Sequence, residues 1–510
     1  MENPFAEGEN RVIRPPATAV VIFGATGDLS HRKLLPALYN LAHDDYLPAN
    51  FAVFGAARSA MTDEQFRASM KESVAKHSRR PLNEELWSRF AARLFYQQVE
   101  GDSDVGMKEL KRRLDALSDN GNERPNYLYY LAVAPGVFGQ ISSQLKSAGL
   151  VEKVNDEHAR ATRLIVEKPF GNNLSSSKEL DRVLRTAFAE DQIYRIDHYL
   201  GKETVQNILV FRFANGIFEN LWNRNYIDHI ELSWAEDIGV GTRAGYFDKS
   251  GLMRDIVQNH LLQVLSLLCI EPPTSLSDAN SIRNEKVKVL SSFKRMSIAE
   301  VPHNVVRAQY ERGFVGGKEV PSYFEEPDIL VSSKTETYVA MKFEIDNWRW
   351  AGVPIYVRAG KRLPKRITEI SIHFKKPPGS LFKGRQVGEI EPNVLAIQVQ
   401  PNEGISLNIS SKPPGPRMRV RPVLMDFTYG QSFGVASADA YERLLLDAMK
   451  GDATLFIRND EIEQSWDLLE PVLQCWAENE APVEKYASGT WGPSAAAKLL
   501  VPGGHRWRRL

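Results

Sequence analysis

The sequence predicts an α/β domain followed by a larger α+β domain. Over residues 1–198, buried apolar runs alternate with amphipathic helical patterns, which is typical of a Rossmann-like, doubly wound parallel sheet. Over residues 199–510, alternating strands follow one another and predict a large, mostly antiparallel sheet covered by helices. A chain of 510 residues is also too long for one simple core. We therefore expect two domains, with the boundary near residue 198.

Composition and charge argue against several classes of protein. The 64 basic residues balance 64 acidic ones, which argues against a general binder of nucleic acids or membrane surfaces. The two cysteines, Cys269 and Cys475, offer neither a disulfide framework nor metal-ligand spacing. There is no run of about 18 apolar residues, and the start, MENPFAEGENRVIRPP, has no apolar leader. We therefore expect a cytoplasmic protein without a membrane or nucleic-acid partner.

A glycine-containing turn follows the first buried strand. Ala19 to Phe23 is a continuous apolar run, and leucines at helical spacing begin at Leu34. Between them lie the predicted cofactor-binding residues Gly24, Ala25, Thr26, Gly27, Asp28 and Leu29. Gly24 would permit a tight turn, and Gly27 would let a pyrophosphate approach the helix N-terminus. Because the spacing departs from GxGxxG, a purely structural turn is the alternative.

Arg58 suggests which dinucleotide binds. It follows the next strand, Phe51 to Gly55, at the position where an NAD site needs an acidic residue. A guanidinium there can pair a 2′-phosphate and would favour NADP by roughly ten- to a hundredfold. Arg32 and Lys33 could add positive charge nearby. The alternative is an ordinary surface arginine.

Polar residues follow the remaining strands of the first domain. Buried strands are predicted at Tyr127 to Val133 and Thr162 to Val166, whereas residues 62–120 look like amphipathic helices. Ligands bind outside the carboxyl ends of parallel strands. The residues expected at that edge are the glycine turn, Arg58, Pro135, Glu167, Lys168, Pro169, Asp197 and His198. A cis bond before Pro169 would aim Lys168 into the cleft.

The stretch Gln192 to Lys202, QIYRIDHYLGK, concentrates chemistry in a short segment. An apolar-alternating start runs into Asp197, His198, Tyr199 and Lys202. This mixture of charges, imidazole and phenol suits a polyhydroxylated substrate with an anionic group. A solvated turn after an edge strand is the alternative. For Arg195 we expect only structural pairing.

The second domain contributes a histidine and a basic loop. Leu252 to Leu268 predicts a buried helix with His260 on its apolar face, either as a satisfied core residue or as a base that titrates near neutral pH. Strands are predicted at Tyr226 to Ala235, Thr337 to Ile345, Pro354 to Arg358, Glu369 to Phe374, Val394 to Val399 and Ile405 to Ile409. Between two of them, RAGKRLPKRITEI is either a phosphate clamp or a solvated loop.

Taken together, the motifs resemble the glucose-6-phosphate dehydrogenase family. The matching segments, in family order, are GATGDLSHRK, EKPFG, RIDHYLGKE, GYFDKSGLMRDIVQNHLLQ, RAGKRLPKR and YASGTWGP. The resemblance implies oxidation of glucose 6-phosphate at C1 to the 6-phosphogluconolactone, with hydride passing to NADP. It implies no metal, because the cofactor accepts the electrons. A homodimer or homotetramer is expected.

The resemblance also implies roles for individual residues. His260 would be the general base and Asp197 its orienting partner. Substrate would be bound by Lys168, His198, Tyr199, Lys202, Glu236, Asp255, Lys361 and Arg366. Cofactor would be bound by the turn from Gly24 to Leu29, by Arg58 and by Lys168. Two other functions stay open, namely a different sugar oxidoreductase of the glucose–fructose type and a catalytically silent NADP-sensing regulator.

Overall fold

A computed structural model describes most of the chain. The described residues are 13–100, 104–121, 124–152, 161–378, 390–416, 419–433, 438–478 and 483–510. Residues 1–12, part of the segment in which we expect no leader, lie outside this part of the chain. Within it, no helix is long and apolar enough to cross a membrane.

The strands form two large sheets and one small hairpin. In chain order they are β1 (Thr18–Phe23), β2 (Phe51–Ala57), β3 (Leu94–Gln98), β4 (Asn126–Leu131), β5 (Thr162–Val166), β6 (Ile193–Ile196), β7 (Ile227–Ala235), β8 (Val305–Glu311), β9 (Gly313–Val315), β10 (Lys318–Val320), β11 (Tyr338–Glu344), β12 (Pro354–Gly360), β13 (Ile367–Phe374), β14 (Val394–Gln400), β15 (Gly404–Ser411), β16 (Arg421–Thr428), β17 (Phe456–Ile457) and β18 (Glu484–Ala487).

Helices cover the sheets. They are α1 (Leu35–His43), α2 (Asp63–His77), α3 (Glu84–Ala91), α4 (Val105–Asp115), α5 (Phe138–Ser147), α6 (Leu174–Arg185), α7 (Glu203–Phe213), α8 (Gly216–Glu219), α9 (Ala244–Leu252), α10 (Leu262–Cys269), α11 (Ala279–Ser292), α12 (Val301–Asn304), α13 (Tyr429–Phe433), α14 (Ala440–Lys450), α15 (Asn459–Glu478) and α16 (Ser494–Lys498). Segments Ser30–Leu34 and Met253–Leu261 are wound more widely, as π-type helix.

The first sheet is the predicted Rossmann-like sheet. Its order is β17-β6-β5-β4-β1-β2-β3, and every neighbouring pair is parallel except β17 with β6. All six residues of β1 are buried, as expected for a strand covered on both faces. The carboxyl ends of β1, β2, β4, β5 and β6 therefore meet at one edge, where the sequence predicts a ligand.

One interpretation of the first domain is wrong. Residues 62–120 are not helical throughout, because β3 lies between α3 and α4 and pairs in parallel with β2. Its alternating burial, with Leu94 and Tyr96 inside, marks an edge strand with one covered face. The run of five residues is too short and too polar to stand out from the surrounding helical pattern.

The second sheet confirms the predicted α+β part. Its nine strands follow the order β16-β15-β14-β13-β7-β12-β11-β8-β18. Only the pairs β7·β12 and β8·β18 are parallel, so the sheet is mostly antiparallel. Because β7 and β12 run in the same direction, the residues after their carboxyl ends, Glu236 and Lys361, lie side by side.

The two parts of the chain are interwoven near the site. Strand β17 extends the first sheet by pairing with β6, although it comes late in the sequence. Glu442 of α14 accepts hydrogen bonds from Asn40 at 2.9 Å and from Arg79 at 2.8 Å. The division into 1–198 and 199–510 stays a prediction, and the second segment also completes the edge of the first sheet.

Arg195 has the structural pairing that we expect from its sequence. It is buried in β6, and its guanidinium lies 2.6 Å from Asp181 and 2.7 Å from Glu190. The two carboxylates hold this side chain away from the strand end, so Arg195 supports the strand that carries Asp197 and does not enter the cleft.

Replacing Arg195 with Met should destabilise the first domain. Removing one partner of a buried ion pair costs about 3–5 kcal/mol, because the remaining charges stay desolvated. Thermal unfolding of Arg195→Met should show a clear fall in Tm. The matched control is Arg182→Met, which removes an exposed arginine paired with Glu179. Equal Tm values for the two variants would contradict the structural role.

Candidate active site

The site forms where the first sheet meets the helical segment Met253–Leu261. Lys168 follows β5 and Asp197 follows β6, so both lie at the predicted carboxyl edge. The bond between Lys168 and Pro169 is cis. His260 approaches this edge from the second domain, and Asp255 lies on the same segment. Residues predicted from separate motifs therefore meet in one cleft.

Asp197 and His260 form a buried pair. His260 Nδ1 lies 2.5 Å from Asp197 Oδ1, and each residue is 1% exposed. The same oxygen accepts the backbone N–H of Tyr199 at 2.9 Å. Burial would raise the pKa of Asp197, but the charge and hydrogen bond of His260 outweigh it and lower that pKa to about 2. Asp197 is therefore ionised and accepts a hydrogen bond from the N–H group at Nδ1.

The other ring nitrogen of His260 faces Lys168. Lys168 Nζ lies 2.9 Å from His260 Nε2, and it also donates to Asp255 Oδ1 at 3.1 Å. An ammonium can only donate, so Nε2 accepts with its lone pair. Burial lowers the pKa of His260, even though Asp197 acts in the opposite direction. The imidazole is therefore neutral near pH 7, with a basic nitrogen at the cleft.

Aromatic rings fix the orientation of His260. Trp234 lies parallel to it, with 5.6 Å between ring centroids, and Tyr199 packs at 4.7 Å. His198 contacts the same ring edge-on at 4.6 Å, and burial holds the pKa of His198 well below its ordinary value. With these contacts, the imidazole is positioned before any ligand arrives.

A second group of residues gathers positive charge beside the pair. Lys202 Nζ and Arg366 both point to Gln400 Oε1, at 3.4 and 3.3 Å. Gln400 Nε2 donates to the hydroxyl of Tyr199 at 3.1 Å. Among the described residues, neither cation forms an ion pair with a carboxylate. Burial is the main cause that lowers the pKa of Lys202; Arg366 also lowers it, whereas Glu403 acts in the opposite direction. An anion bound here would stabilise the ammonium.

The side chains of the predicted basic loop point to different partners. Lys361 Nζ bonds to Glu236 Oε2 at 2.5 Å and lies 5.1 Å from the ring of Phe247. Arg362 turns away and pairs with Glu326 at 3.2 Å. Lys361 and Glu236 are thus held as a donor and acceptor at the ends of β12 and β7, an arrangement suited to sugar hydroxyls.

The glycine turn lies at the end of β1, as predicted. Gly24 has φ +87°, and a Cβ there would lie 2.3 Å from the carbonyl oxygen of Ala132. Only glycine therefore allows β1 and β4 to approach so closely. The exposed turn residues are Thr26 and Asp28, while Ala25 is buried. Lys33, one of the cations expected nearby, pairs with Asp439 at 2.7 Å.

Arg58 follows β2 and is exposed at the same edge of the sheet. Its backbone carbonyl accepts from Gln98 Nε2 at 2.9 Å, whereas no described residue forms an ion pair with its guanidinium. The guanidinium is therefore available for an anion. Whether that anion is a 2′-phosphate stays a prediction.

Two residues that support the site were missing from the sequence interpretation. Trp234 ends a predicted strand, and its alternation pointed only to the core. Gln400 is the last residue of β14 and connects Lys202, Arg366 and Tyr199. Its only signal in the sequence was its position at a strand end before Pro401. Neither residue carries a charge, which is why motif reasoning did not select them.

The fold and this site define a class of protein. A Rossmann-like sheet with a glycine turn and a histidine–aspartate pair at its carboxyl edge belongs to a dinucleotide-dependent oxidoreductase.

Comparison with known proteins names the family. The model of the glucose-6-phosphate dehydrogenase NAD-binding domain matches residues 21–207, and that of the C-terminal domain matches residues 209–508. The glucose-6-phosphate 1-dehydrogenase of Aggregatibacter actinomycetemcomitans is 48% identical over 96% of this chain and 97% of its own. The Chlamydia pneumoniae enzyme of the same name is 46% identical over 97% and 96%. The chain belongs to the glucose-6-phosphate dehydrogenase family.

Solved structures of members of this family are similar to this chain. A glucose-6-phosphate dehydrogenase in complex with its substrate glucose 6-phosphate has a TM-score of 0.88 at 36% identity and covers 97% of this chain and 99% of its own. Glucose-6-phosphate 1-dehydrogenase from Mycobacterium avium has a TM-score of 0.81 at 35% identity, with the same coverage. The cofactor of this family is NADP.

The ionisation of His260 can be tested directly. Its imidazole should titrate below the ordinary value of 6.5, because burial and the Lys168 ammonium disfavour the charged form. Lys168→Met should raise the midpoint, whereas Asp197→Asn should lower it by removing the stabilising carboxylate. Histidine-selective NMR of the ligand-free protein measures this, with His260→Asn identifying the signal. A midpoint above 6.5 in the wild type would refute the neutral base.

Proposed function

We propose that this chain oxidises D-glucose 6-phosphate at C1 to 6-phospho-D-glucono-1,5-lactone, with hydride transfer to NADP. One observation carries the proposal. His260 is held by Asp197 through Nδ1 and presents a basic Nε2 to a cleft that is lined by unbalanced cations. A base and an anion site in one cleft suit a phosphorylated sugar with a hydroxyl group to be deprotonated.

The proton moves between named atoms. As hydride leaves C1, positive character builds there, so the C1 hydroxyl must lose its proton to His260 Nε2. The imidazolium that forms is stabilised by ionised Asp197, to which it is already hydrogen-bonded. A positioned base of this kind contributes about 10²–10⁴-fold to the rate. The bound nicotinamide supplies the acceptor for the hydride.

Lys168 occupies the place that the substrate hydroxyl needs. Its ammonium bonds to Nε2 of His260 in the ligand-free chain, at 2.9 Å. Substrate binding must therefore exchange this contact for one between Nε2 and the C1 hydroxyl. The released ammonium stays beside Asp255, and there it can donate to the sugar oxygen or to the cofactor.

The other residues bind different parts of the sugar phosphate. His198, Tyr199, Lys202 and Arg366 surround the place for the phosphate, while Glu236, Lys361 and Asp255 face the ring hydroxyls. Binding energy from the phosphate, far from C1, would orient the reacting carbon. The turn from Gly24 to Leu29, with Arg58, would hold the pyrophosphate and the 2′-phosphate of the cofactor.

Assembly and location are part of the proposal. A homodimer or homotetramer is favoured because the edge strand β16 exposes Val423, Leu424 and Met425, at 42%, 59% and 58%. A cytoplasmic location is favoured because Cys269 and Cys475 are buried free thiols.

The main competitor is a sugar oxidoreductase that acts on an unphosphorylated substrate. The gathering of Lys202 and Arg366 around Gln400 speaks against it, because neutral sugars do not need two cations at one position. An NADP-sensing regulator would need a broken base or a broken substrate cluster, whereas the pairing of Asp197 with His260 is complete.

His260→Asn should lower kcat by about 10²–10⁴-fold, because asparagine cannot take the proton. Binding should survive, since the phosphate contacts are untouched. The measurements are kcat and the shift in Tm caused by glucose 6-phosphate. His303→Asn, at an exposed histidine, is the control. A near-normal kcat in His260→Asn would refute the base.

Lys202→Ala should distinguish the contribution of the phosphate to the reaction from that of the sugar. Losing one charge-assisted hydrogen bond of about 1.5–3 kcal/mol lowers kcat/KM for glucose 6-phosphate by roughly 10- to 150-fold. Any rate with glucose as the substrate should stay unchanged, because glucose lacks the phosphate. Initial rates with both sugars give the ratio. If both rates fall equally, Lys202 does not bind the phosphate.

Arg58→Ala should change cofactor preference. The KM for NADP should rise by roughly 10- to 100-fold, whereas that for NAD stays close to wild type. Initial-rate kinetics with both cofactors test this. Arg112→Ala, at an exposed arginine on α4, serves as the control. Equal changes for NADP and NAD in Arg58→Ala would show that it does not contact the 2′-phosphate.

A further inference from the structure

A second cluster of histidines and carboxylates lies on the other face of the nine-stranded sheet. Side chains alternate along a strand, so His229 and Glu231 of β7 face away from Trp234, which stacks on the catalytic histidine. His373 of β13 is paired with His229 across the sheet. The cluster is therefore separated from the reaction by the sheet itself.

Three atoms of this cluster are buried without a hydrogen-bond partner among the described residues. They are His229 Nε2, Glu231 Oε1 and His373 Nε2. Their residues are only 6%, 2% and 9% exposed. Both Nε2 atoms lie 3.4 Å from the same Glu231 oxygen. Buried polar atoms without partners are costly, so this arrangement needs an explanation.

The orientation of the His229 ring is fixed by its other nitrogen. Its Nδ1 lies 2.7 Å from Asp228 Oδ2 and donates to it. Nε2 is therefore the nitrogen that faces Glu231 Oε1, at 3.4 Å. A cation placed between this nitrogen and this oxygen would have both as ligands.

The distances fit a metal ion of the zinc class. Bonds of about 2.0–2.1 Å to nitrogen and oxygen in a tetrahedron place neighbouring ligand atoms about 3.3–3.4 Å apart. The two separations from Glu231 Oε1 are 3.4 Å, and one possible ligand atom from each of the three residues lies within 4.8 Å of the other two. Two imidazoles with one carboxylate are also a donor set that zinc uses.

We propose that His229, Glu231 and His373 bind one divalent transition-metal ion, zinc or a chemical relative. Asp228 supports the site by accepting a hydrogen bond from Nδ1 of His229. A carboxylate on the nitrogen that does not bind the metal fixes the orientation of the ring and raises the basicity of the nitrogen that does. The rings of His229 and His373 lie face to face, 4.1 Å apart and 15° from parallel. Ion binding therefore turns the His373 ring out of this stack, so that both lone pairs converge.

The site has a structural task. The second oxygen of Glu231, Oε2, accepts the backbone N–H of Arg508 at 2.9 Å. Asp228 also bonds to His505 Nε2 at 2.9 Å. Both residues belong to the C-terminal tail, so the ion fastens the strands to each other and to the last residues of the chain. The proposed oxidation needs no metal, and this ion takes no part in it.

The test begins with the whole chain dialysed against a chelator and then given zinc. We expect the wild type to retain one zinc ion per chain by mass spectrometry and to gain Tm. His373→Gln and Glu231→Gln should lose both effects, whereas His303→Gln, at an exposed histidine, should keep them. Asp228→Asn should lower the affinity about 10- to 100-fold.

Two further measurements on the wild type test the proposal without relying on the folding of any variant. Cobalt(II) added to the wild type should give the strong visible absorption of a tetrahedral site, which does not depend on any variant folding. Oxidation of glucose 6-phosphate should be unchanged by one equivalent of zinc. No uptake by the wild type overturns the proposal. Uptake that persists in His373→Gln and abolishes activity also overturns it, and assigns the ion to the cluster of Asp197, His198 and His260.

Discussion

The hydrogen bond between Asp197 and His260 is the contact on which the rest of this structure depends. Asp197 comes from the end of a parallel strand, and His260 comes from a helix packed against a different sheet. Both are buried, and a buried carboxylate without its partner is strongly destabilising. The bond is therefore one of the contacts that hold the second part of the chain on the first, together with the pairing of β17 with β6 and the bonds of Glu442 to Asn40 and Arg79. The same bond fixes which nitrogen of the imidazole is free to act.

Electrostatic balance in the cleft follows from this contact. Asp197 accepts a hydrogen bond from the ring that it holds, while Lys168 is shared between Nε2 and Asp255. Lys202 and Arg366 both contact the amide of Gln400, and neither forms an ion pair with a carboxylate among the described residues. The site thus has one region of paired charges, where we propose that proton transfer occurs, and one region with two cations, where we propose that an anion binds. A phosphorylated sugar fits both regions at once.

Sequence patterns predicted the elements better than the contacts between them. Continuous apolar runs predicted β1, β4 and β5, because a strand that is buried on both faces has apolar side chains on both faces. The strand pattern predicted Lys168 and Asp197 at one edge, since both follow strands of the parallel sheet, whereas the role of His260 beside them came from the family resemblance. Strand β3 was missed because five half-polar residues carry little signal between helices.

Uncharged and distant partners could not be predicted in the same way. Gln400 contacts three residues of the site, but an amide at a strand end gives no sign of these contacts in the sequence. His229, Glu231 and His373 come together only through the pairing of β7 with β13, which no local spacing reveals. Residues near each other in the sequence could therefore be grouped from their spacing, whereas clusters made by sheet register needed the structure.

A crystal structure of the wild-type chain with glucose 6-phosphate, and without cofactor so that no turnover occurs, tests the central claim most directly. The C1 hydroxyl should lie about 2.6–3.2 Å from His260 Nε2. Lys168 should have left that nitrogen, while the bond between Nδ1 and Asp197 stays in place. A sugar bound with C1 distant from His260, and with Lys168 still on Nε2, would contradict the account.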